Sequence, residues 1–254
     1  MTCDDREISA LIDAGFGGLA GTPPSRAVQT YAIERAERST FVVRHRETEV
    51  ILHDRDSLLF HIDKEFTLTL QHERPDLLFL HAAAIEVGGR VAALVGPSGV
   101  GKSTLTLAAV EAGLGYLSDE LAPVDLDTLT VHPYPHALAL KEVPAGRIGL
   151  PAGTRAEQGR FHVPAAALQA PSSAAPGVLA MIVFLRRDDT VAVVLRSISA
   201  GLAAARLVEN TLNGLAHPSA GLDAAVDLSS RVPSFELQAR KTITAVGELR
   251  RLLD

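Results

Sequence analysis

The chain is short of several residues that anchor many folds. It holds one cysteine, Cys3, among 254 residues. A single cysteine excludes an internal disulfide framework and any zinc cluster built on several thiolates. Tryptophan is absent and aromatics make up 4% of the sequence, so the core must come from Ala, Val, Leu and Ile within a hydrophobic share of 47%. Long apolar runs are missing too: the longest, residues 178–185, falls far short of the ~20 residues of a membrane span. Positive charge is not in excess. A net charge of -6 and a pI near 5.8 argue against a nucleic-acid surface. The opening MTCDDREIS carries acids where a signal peptide has a basic flank and an apolar core. It reads as a mobile, polar start, and a cytoplasmic protein with no membrane partner is expected.

The length suits one large domain, or one domain with an appendage. No internal repeat is present. RAVQTYAIERA and residues 40–54, rich in β-branched residues, read as strands. DSLLFHIDKEFTLTLQHER sets Leu58, Leu59, Ile62, Phe66 and Leu70 at helical spacing, after an Asp suited to a cap. Pro75 then breaks the chain. The expected division is a small N-terminal α+β portion over 1–75 and a larger domain over 76–254. In the latter, residues 77–87 read as one strand, GG as a hairpin turn and VAALV as a second strand. Residues 146–176, with many Gly, Ala, Pro and Ser, read as a mobile loop or lid. VLAMIVFLRR reads as a buried strand with VAVVLRSIS as its antiparallel partner. Helices are expected from Ser199 and over TAVGELRRLLD.

The chemistry begins at RVAALVGPSGVGKSTLTLAAV. Gly96, Gly101, Lys102 and Ser103 fit G-x-x-x-x-G-K-S/T, a pattern that chance would produce in a chain this long roughly 1% of the time. An apolar strand enters the loop and a helix leaves it. That context suits a phosphate cradle: backbone N–H groups of Gly96, Pro97, Ser98, Gly99, Val100 and Gly101 (proline excepted) and of Lys102, Ser103 and Thr104 turn inward. Lys102 reaches the terminal phosphates, and the Ser103 hydroxyl is placed for Mg²⁺. The alternative is a glycine turn without a ligand. Residues 91–120 then form a strand–helix–strand unit ending in LSDE. This puts Asp119 and Glu120 at the carboxyl end of a strand, where open α/β sheets bind ligands. Two acids there can hold a metal and take a proton from a hydroxyl, or simply cap the next turn.

The stretch LHAAAIEVGGRVAALVGPSGVGKSTLTLAAVEAGLGYLSDELAPVD resembles the catalytic core of the HPr kinase/phosphorylase family. It is more similar to that family's shorter relatives, the HPr-kinase-like serine kinases, some of which accompany peptide natural-product pathways. HPYPHALALK and RVPSFELQ extend the resemblance, whose specific part runs from about His81 to Lys141. The family's second, Arg- and Gly-bearing signature and its full N-terminal domain are not matched.

The resemblance implies an α/β, P-loop-containing HPr-kinase-like catalytic domain with a mixed β-sheet, preceded by a small β-rich N-terminal portion. It implies ATP and Mg²⁺ as cofactors and a serine hydroxyl as acceptor, on a protein, a peptide or free serine. Lys102 and Ser103 keep their loop roles. Asp119 matches the general base, Glu120 stands where the family often has a second Asp at the metal, and His81 matches a histidine near the active site. A homo-oligomer is in keeping with the family. Two other outcomes stay open: a nucleotide-binding regulatory ATPase module without a phosphoacceptor, and a phosphorylase running the reaction backwards.

His132 and His136 flank PYP, whose prolines deny them the helical geometry of a metal pair. They read as loop residues, with His136 near substrate. Lys141 reads as a solvated strand-end lysine or a phosphate contact, Arg147 as a lid residue or an arginine finger, and Arg186 and Arg187 as the end of a sheet strand.

Overall fold

The computed structural model describes residues 1–3, 5–20, 29–37, 39–157, 159–168, 175–187, 190, 193–239 and 242–254. Parts of RAVQTYAIERA, of VAVVLRSIS and of the expected lid lie outside the described residues. The chain is a mixed α/β protein.

Its first part comprises β1 (Thr2–Cys3), α1 (Arg6–Phe16), β2 (Tyr31–Arg35), β3 (Phe41–His45), β4 (Thr48–Leu52) and α2 (Arg55–Glu73). The strands form one sheet in the order β1-β2-β3-β4. The expectation of a mobile start is corrected here. Asp5 caps α1 by accepting from the Glu7 and Ile8 N–H groups, and Ile8, Leu11, Ile12 and Phe16 fall on one buried face. They pack with Ile33, Phe41, Val43, Leu58 and Ile62, so burial outweighs the polar beginning. The α2 cap is Asp54, whose side chain accepts from the Ser57 N–H.

The remainder continues with β5 (Leu77–Leu80), β6 (Ala82–Val87), β7 (Arg90–Val95), α3 (Lys102–Glu111), β8 (Gly115–Ser118), β9 (Ala122–Asp125) and β10 (Thr130–Val131). Then come β11 (Leu138–Leu140), β12 (Arg155–Glu157), β13 (Arg160–Val163), β14 (Gly177–Arg186), β15 (Val193–Ser197), α4 (Ala200–Glu209), α5 (Leu222–Arg231), β16 (Ser234–Ala239) and α6 (Thr242–Leu253). The large sheet runs β5-β9-β10-β14-β7-β6-β8, with β16 beside β14 and β15 beyond β16. Side chains alternate between its faces. Ala82, Ala84, Ala93 and Val95 meet α4 and α5 on one face; Ala83, Ile85, Ala92 and Leu94 meet α3 and α6 on the other. The result is a layered helix–sheet–helix packing. The β6–β7 hairpin turns at Gly88 (φ 57°) and Gly89 (φ 83°), the two positive φ values that a type I′ turn requires.

Four expectations change. The strand expected over 77–87 is two strands, broken at His81. Ala82 pairs with Val95, and one register step further His81 would face Gly96, where β7 has already left the sheet. Residues 210–212 take the vacated place: the His81 N–H donates to the Asn210 carbonyl (2.7 Å) and the Leu212 N–H to that of Phe79 (2.8 Å). Second, the unit over 91–120 is not a simple crossover. β7 and β8 are parallel but flank β6, which is antiparallel to both. Third, β14 takes β7 and β16 as parallel neighbours, and β15 pairs with β16 instead. Fourth, the expected lid carries β12, β13 and a short 3₁₀ turn at Ala165–Ala167. β13 pairs with β11, and Val163 and Leu168 pack against Leu107 and Val110 of α3, which anchors the segment.

Candidate active site

The β5–β6 and β8–β9 segments run antiparallel, and Leu80 opposite Ala122 and Ala84 opposite Ser118 share one register, which shifts at a bulge between Ala84 and Ile85. The ladder opens only between these rungs. His81 lies in one side of the opening; Asp119 and Glu120 lie in the other. Because β7 and β8 are parallel, the loop after β7 and the acids after β8 emerge at the same sheet edge. Between them lies β6 alone, hydrogen-bonded to both strands, so the loop and the acids are about two strand spacings, ~10 Å, apart at the backbone.

The loop over 96–101 connects β7 directly to α3. Gly99 (φ 86°) and Gly101 (φ 107°) hold left-handed conformations that side-chain-bearing residues resist. Gly101 is the α3 N-cap and supplies no side-chain acceptor, so the first-turn N–H groups are left open at the positive end of the helix. Lys102 is buried, and its ammonium donates to the Gly96 carbonyl at 2.5 Å. Burial draws its pKa below the ordinary lysine value; Asp119 and Glu120 oppose that shift and Lys141 adds to it. Ser103 and Thr104 are half-buried on the first turn.

Asp119 is 2% exposed. Its Oδ2 accepts from the Ala139 N–H at 3.0 Å, while Oδ1 is buried with no hydrogen-bonding partner. Burial pushes the carboxyl up to about 7. That value is the balance of burial and the Glu120 charge, which raise it, against the Ala139 N–H, the Ser103 hydroxyl and the Lys102 ammonium, which lower it. Glu120 is exposed, 3.9 Å from the Arg160 guanidinium on β13. His81 is half-buried and held below the usual histidine value, chiefly by burial and secondarily by Lys102. The structure thus gathers Lys102, Ser103, Asp119, Glu120 and His81 around one sheet edge.

Lys141 joins them. A Cβ built on Gly99 would lie 3.4 Å from the Lys141 Nζ, so this ammonium sits over the loop. The ALALK sequence carries the lysine on the end of β11, but only the pairing of β11 with β13 aims it there. Arg147, by contrast, is tied to Glu111 at the far end of α3 and donates to the Gly149 carbonyl (2.8 Å). Nine helical residues, about 13 Å of axis, separate it from the loop. His132 and His136 do not form a pair: the His136 ring is 3.6 Å from Asp63 and packs edge-on against Phe16. Arg186 ends β14 and is exposed.

Among the described residues no group of three His, Cys, Asp or Glu side chains is arranged to hold a metal. A hard divalent ion nevertheless fits the site. Asp119 Oδ1 is a buried oxygen lacking a partner, the Ser103 hydroxyl acts on the same carboxyl, and Glu120 is adjacent. Mg²⁺ is a cation that such a small all-oxygen set suits.

Fold and site together define an α/β protein with a glycine loop at a strand–helix junction and a buried acid beside it. No family model matches the chain, and no curated protein matches it in sequence. Among solved structures it is similar to the HPr(Ser) kinase/phosphatase from Coxiella burnetii, at 13% identity and a TM-score of 0.38, over 68% of this chain and 93% of that one. A likeness of that degree does not extend to substrate, chemistry or residue roles. No helix among the described residues is long and apolar enough to cross a membrane.

Proposed function

We propose that the protein is a kinase that transfers the γ-phosphoryl group of ATP to a serine hydroxyl, on a protein, a peptide or free serine. The observation that carries the reading is Asp119: a buried carboxyl with one oxygen tethered and the other unpartnered, tuned to about 7, beside an open helix N-terminus and a buried lysine. A base poised near neutrality is what deprotonation of an alcohol calls for.

In this reading the loop amides and the α3 N-terminus receive the phosphates. Lys102 exchanges the Gly96 carbonyl for phosphate oxygens, and Lys141 adds a second positive charge over Gly99. The serine hydroxyl approaches the free Asp119 oxygen and gives up its proton as its oxygen bonds to the γ-phosphorus; ADP departs with the bond electrons. Preorganised cations and amides then meet the charge where it develops. Ser103 and Glu120 would hold Mg²⁺, which when bound supplies charge neutralisation on the phosphates, and the free Asp119 oxygen is kept for the acceptor. His81, kept neutral, lines the loop side of the same opening.

The test follows the γ-phosphate. The protein is given MgATP with pooled serine-bearing peptides and free serine, and products are read by mass spectrometry with Asp119→Asn in parallel. A phosphorylated acceptor made by the wild type and lost in the variant supports the kinase. ATP binding without any modified acceptor, or equal background hydrolysis by both proteins, points instead to a nucleotide-binding regulatory module.

A further inference from the structure

Next to this site lies a cavity of about 70 Å³ between α1, α2 and the β11–β13–β12 sheet. Leu11, Phe16, Leu59 and Phe60 give it an apolar lining. Interleaved with them are polar groups: Asp63, one turn after Leu59 on α2, His136, packed on Phe16, and Arg155, Glu157 and His162 from the small sheet. A cavity needs ~10–15 Å³ on this measure to hold one water, so the space admits several waters or one ring-sized side chain. It is too small for a nucleoside or a docked helix.

Two connections tie the cavity to the acids. His162 is the register partner of Ala139, the residue whose N–H holds Asp119. Arg160, facing Glu120, lies two residues before His162 on β13, and the charges of both Glu120 and Arg160 reach Asp63. The chemistry of the cavity is unfinished. His162 Nε2 is buried without a hydrogen-bonding partner. Asp63 is 3.6 Å from His136, beyond a good hydrogen bond. A guest with an apolar body and a hydrogen-bonding end would satisfy both the apolar and the polar groups of this lining.

We infer that this cavity is the specificity pocket for the acceptor. It takes one mostly apolar side chain with a hydrogen-bonding tip, tyrosine or histidine, from a residue close in sequence to the serine that is phosphorylated. The inference rests on the kinase reading of Asp119 and narrows the acceptor to a polypeptide, since free serine has no second side chain to offer. Phe60, 63% exposed, stands at the rim where such a residue would enter.

The test separates binding from turnover. A library of heptapeptides with a fixed central serine is offered to the wild type, to Ala14→Leu, which fills the cavity from α1, and to Phe60→Ser. Leucine is nearly as good a helix former as alanine, and Phe60 is exposed, so neither change threatens the fold. Captured peptides and phosphorylated peptides are sequenced separately. The expected result is enrichment of tyrosine or histidine at one fixed offset from the serine, reduced at least tenfold by Ala14→Leu and lowered by Phe60→Ser, with the KM for ATP unchanged. Enrichment among captured peptides without phosphorylation would uphold the pocket and sink the kinase. Phosphorylation with no preferred offset, or a preference that survives Ala14→Leu, would sink the pocket and leave the kinase standing. Neither capture nor phosphorylation would overturn both.

Discussion

The Ala139 N–H holds one oxygen of Asp119 at 3.0 Å and leaves the other buried and bare. That asymmetry fixes the direction in which the carboxylate can act. If Asp119 is the base, the rate of acceptor phosphorylation rises tenfold per pH unit up to about 7 and then levels, because only the ionised form accepts a proton. Asp119→Asn removes the base while keeping an acceptor for Ala139. The expected loss is ~10²–10⁴-fold in kcat, with nucleotide affinity by calorimetry changed far less and no rise through pH 7 in the residual rate.

The same carboxyl has a cost in stability. Its folded pKa, about 7, lies above the ordinary 3.8, so the folded state binds this proton more tightly than the unfolded chain does. The favourable contribution is complete below pH 3.8 and disappears as pH rises through about 7, leaving a buried charge. Asp119→Asn should therefore unfold at higher urea than the wild type at pH 8, by up to ~4 kcal/mol, with the gap closing towards pH 4. Paired urea titrations across that range check it. A pH-independent gap would mean that Asp119 is not the titrating group.

Asn213 guards the β5 edge beside His81. Its side chain accepts from the Phe79 N–H (2.9 Å) and donates to the Leu77 carbonyl (2.8 Å), in place of a neighbouring strand. The Leu77 carbonyl has a second donor in His217 (3.1 Å), so Asn213→Ala strands only the Phe79 N–H. The expected loss is ~1–3 kcal/mol, or about 2–4 °C in Tm for each kcal/mol in a chain of this size. Amide exchange at Phe79 and His81 should accelerate before exchange in β7. Unchanged protection at those two amides would count against the clamp.

Much of this arrangement was legible locally. The glycine loop between VAALV and the α3 residues, the Gly88-Gly89 turn and the Ser199 cap of α4 each depend on residues close in sequence. The α1 helix is not in the sequence reading, which takes the acids of MTCDDREIS as a mobile start; the signal passed over is the helical spacing of Ile8, Leu11, Ile12 and Phe16. What could not be read was partnership. VLAMIVFLRR is a buried strand by composition whichever neighbours it has, and its choice of β7 and β16 over β15 is made by the whole sheet. The break at His81 is similarly non-local, since it arises where β7 departs and residues 210–212 arrive. The candidate site divides along the same line: Lys102, Ser103 and Asp119 stand out in the loop pattern and in LSDE, and ALALK leaves Lys141 between solvent and phosphate, whereas Ala139 and His162 come beside them only through the β11–β13 pairing.

Lys141 offers the sharpest separation between a solvated lysine and one that serves the loop. Its ammonium lies over Gly99, and its charge helps to hold Lys102 below the ordinary lysine value. Lys141→Met removes that charge and keeps most of the side-chain bulk. Two effects should appear together. The KM for ATP rises by roughly ten- to a hundredfold, since a charged hydrogen bond to phosphate is worth ~1.5–3 kcal/mol in binding. The alkaline limb of the rate profile, set by proton loss from Lys102, moves to higher pH, because one positive neighbour has gone and Asp119 and Glu120 remain. Lys102→Met, in contrast, should abolish tight nucleotide binding outright. Calorimetry and a pH–rate profile of the two variants measure all three quantities. An unmoved alkaline limb together with an unchanged KM in Lys141→Met would return Lys141 to the solvent.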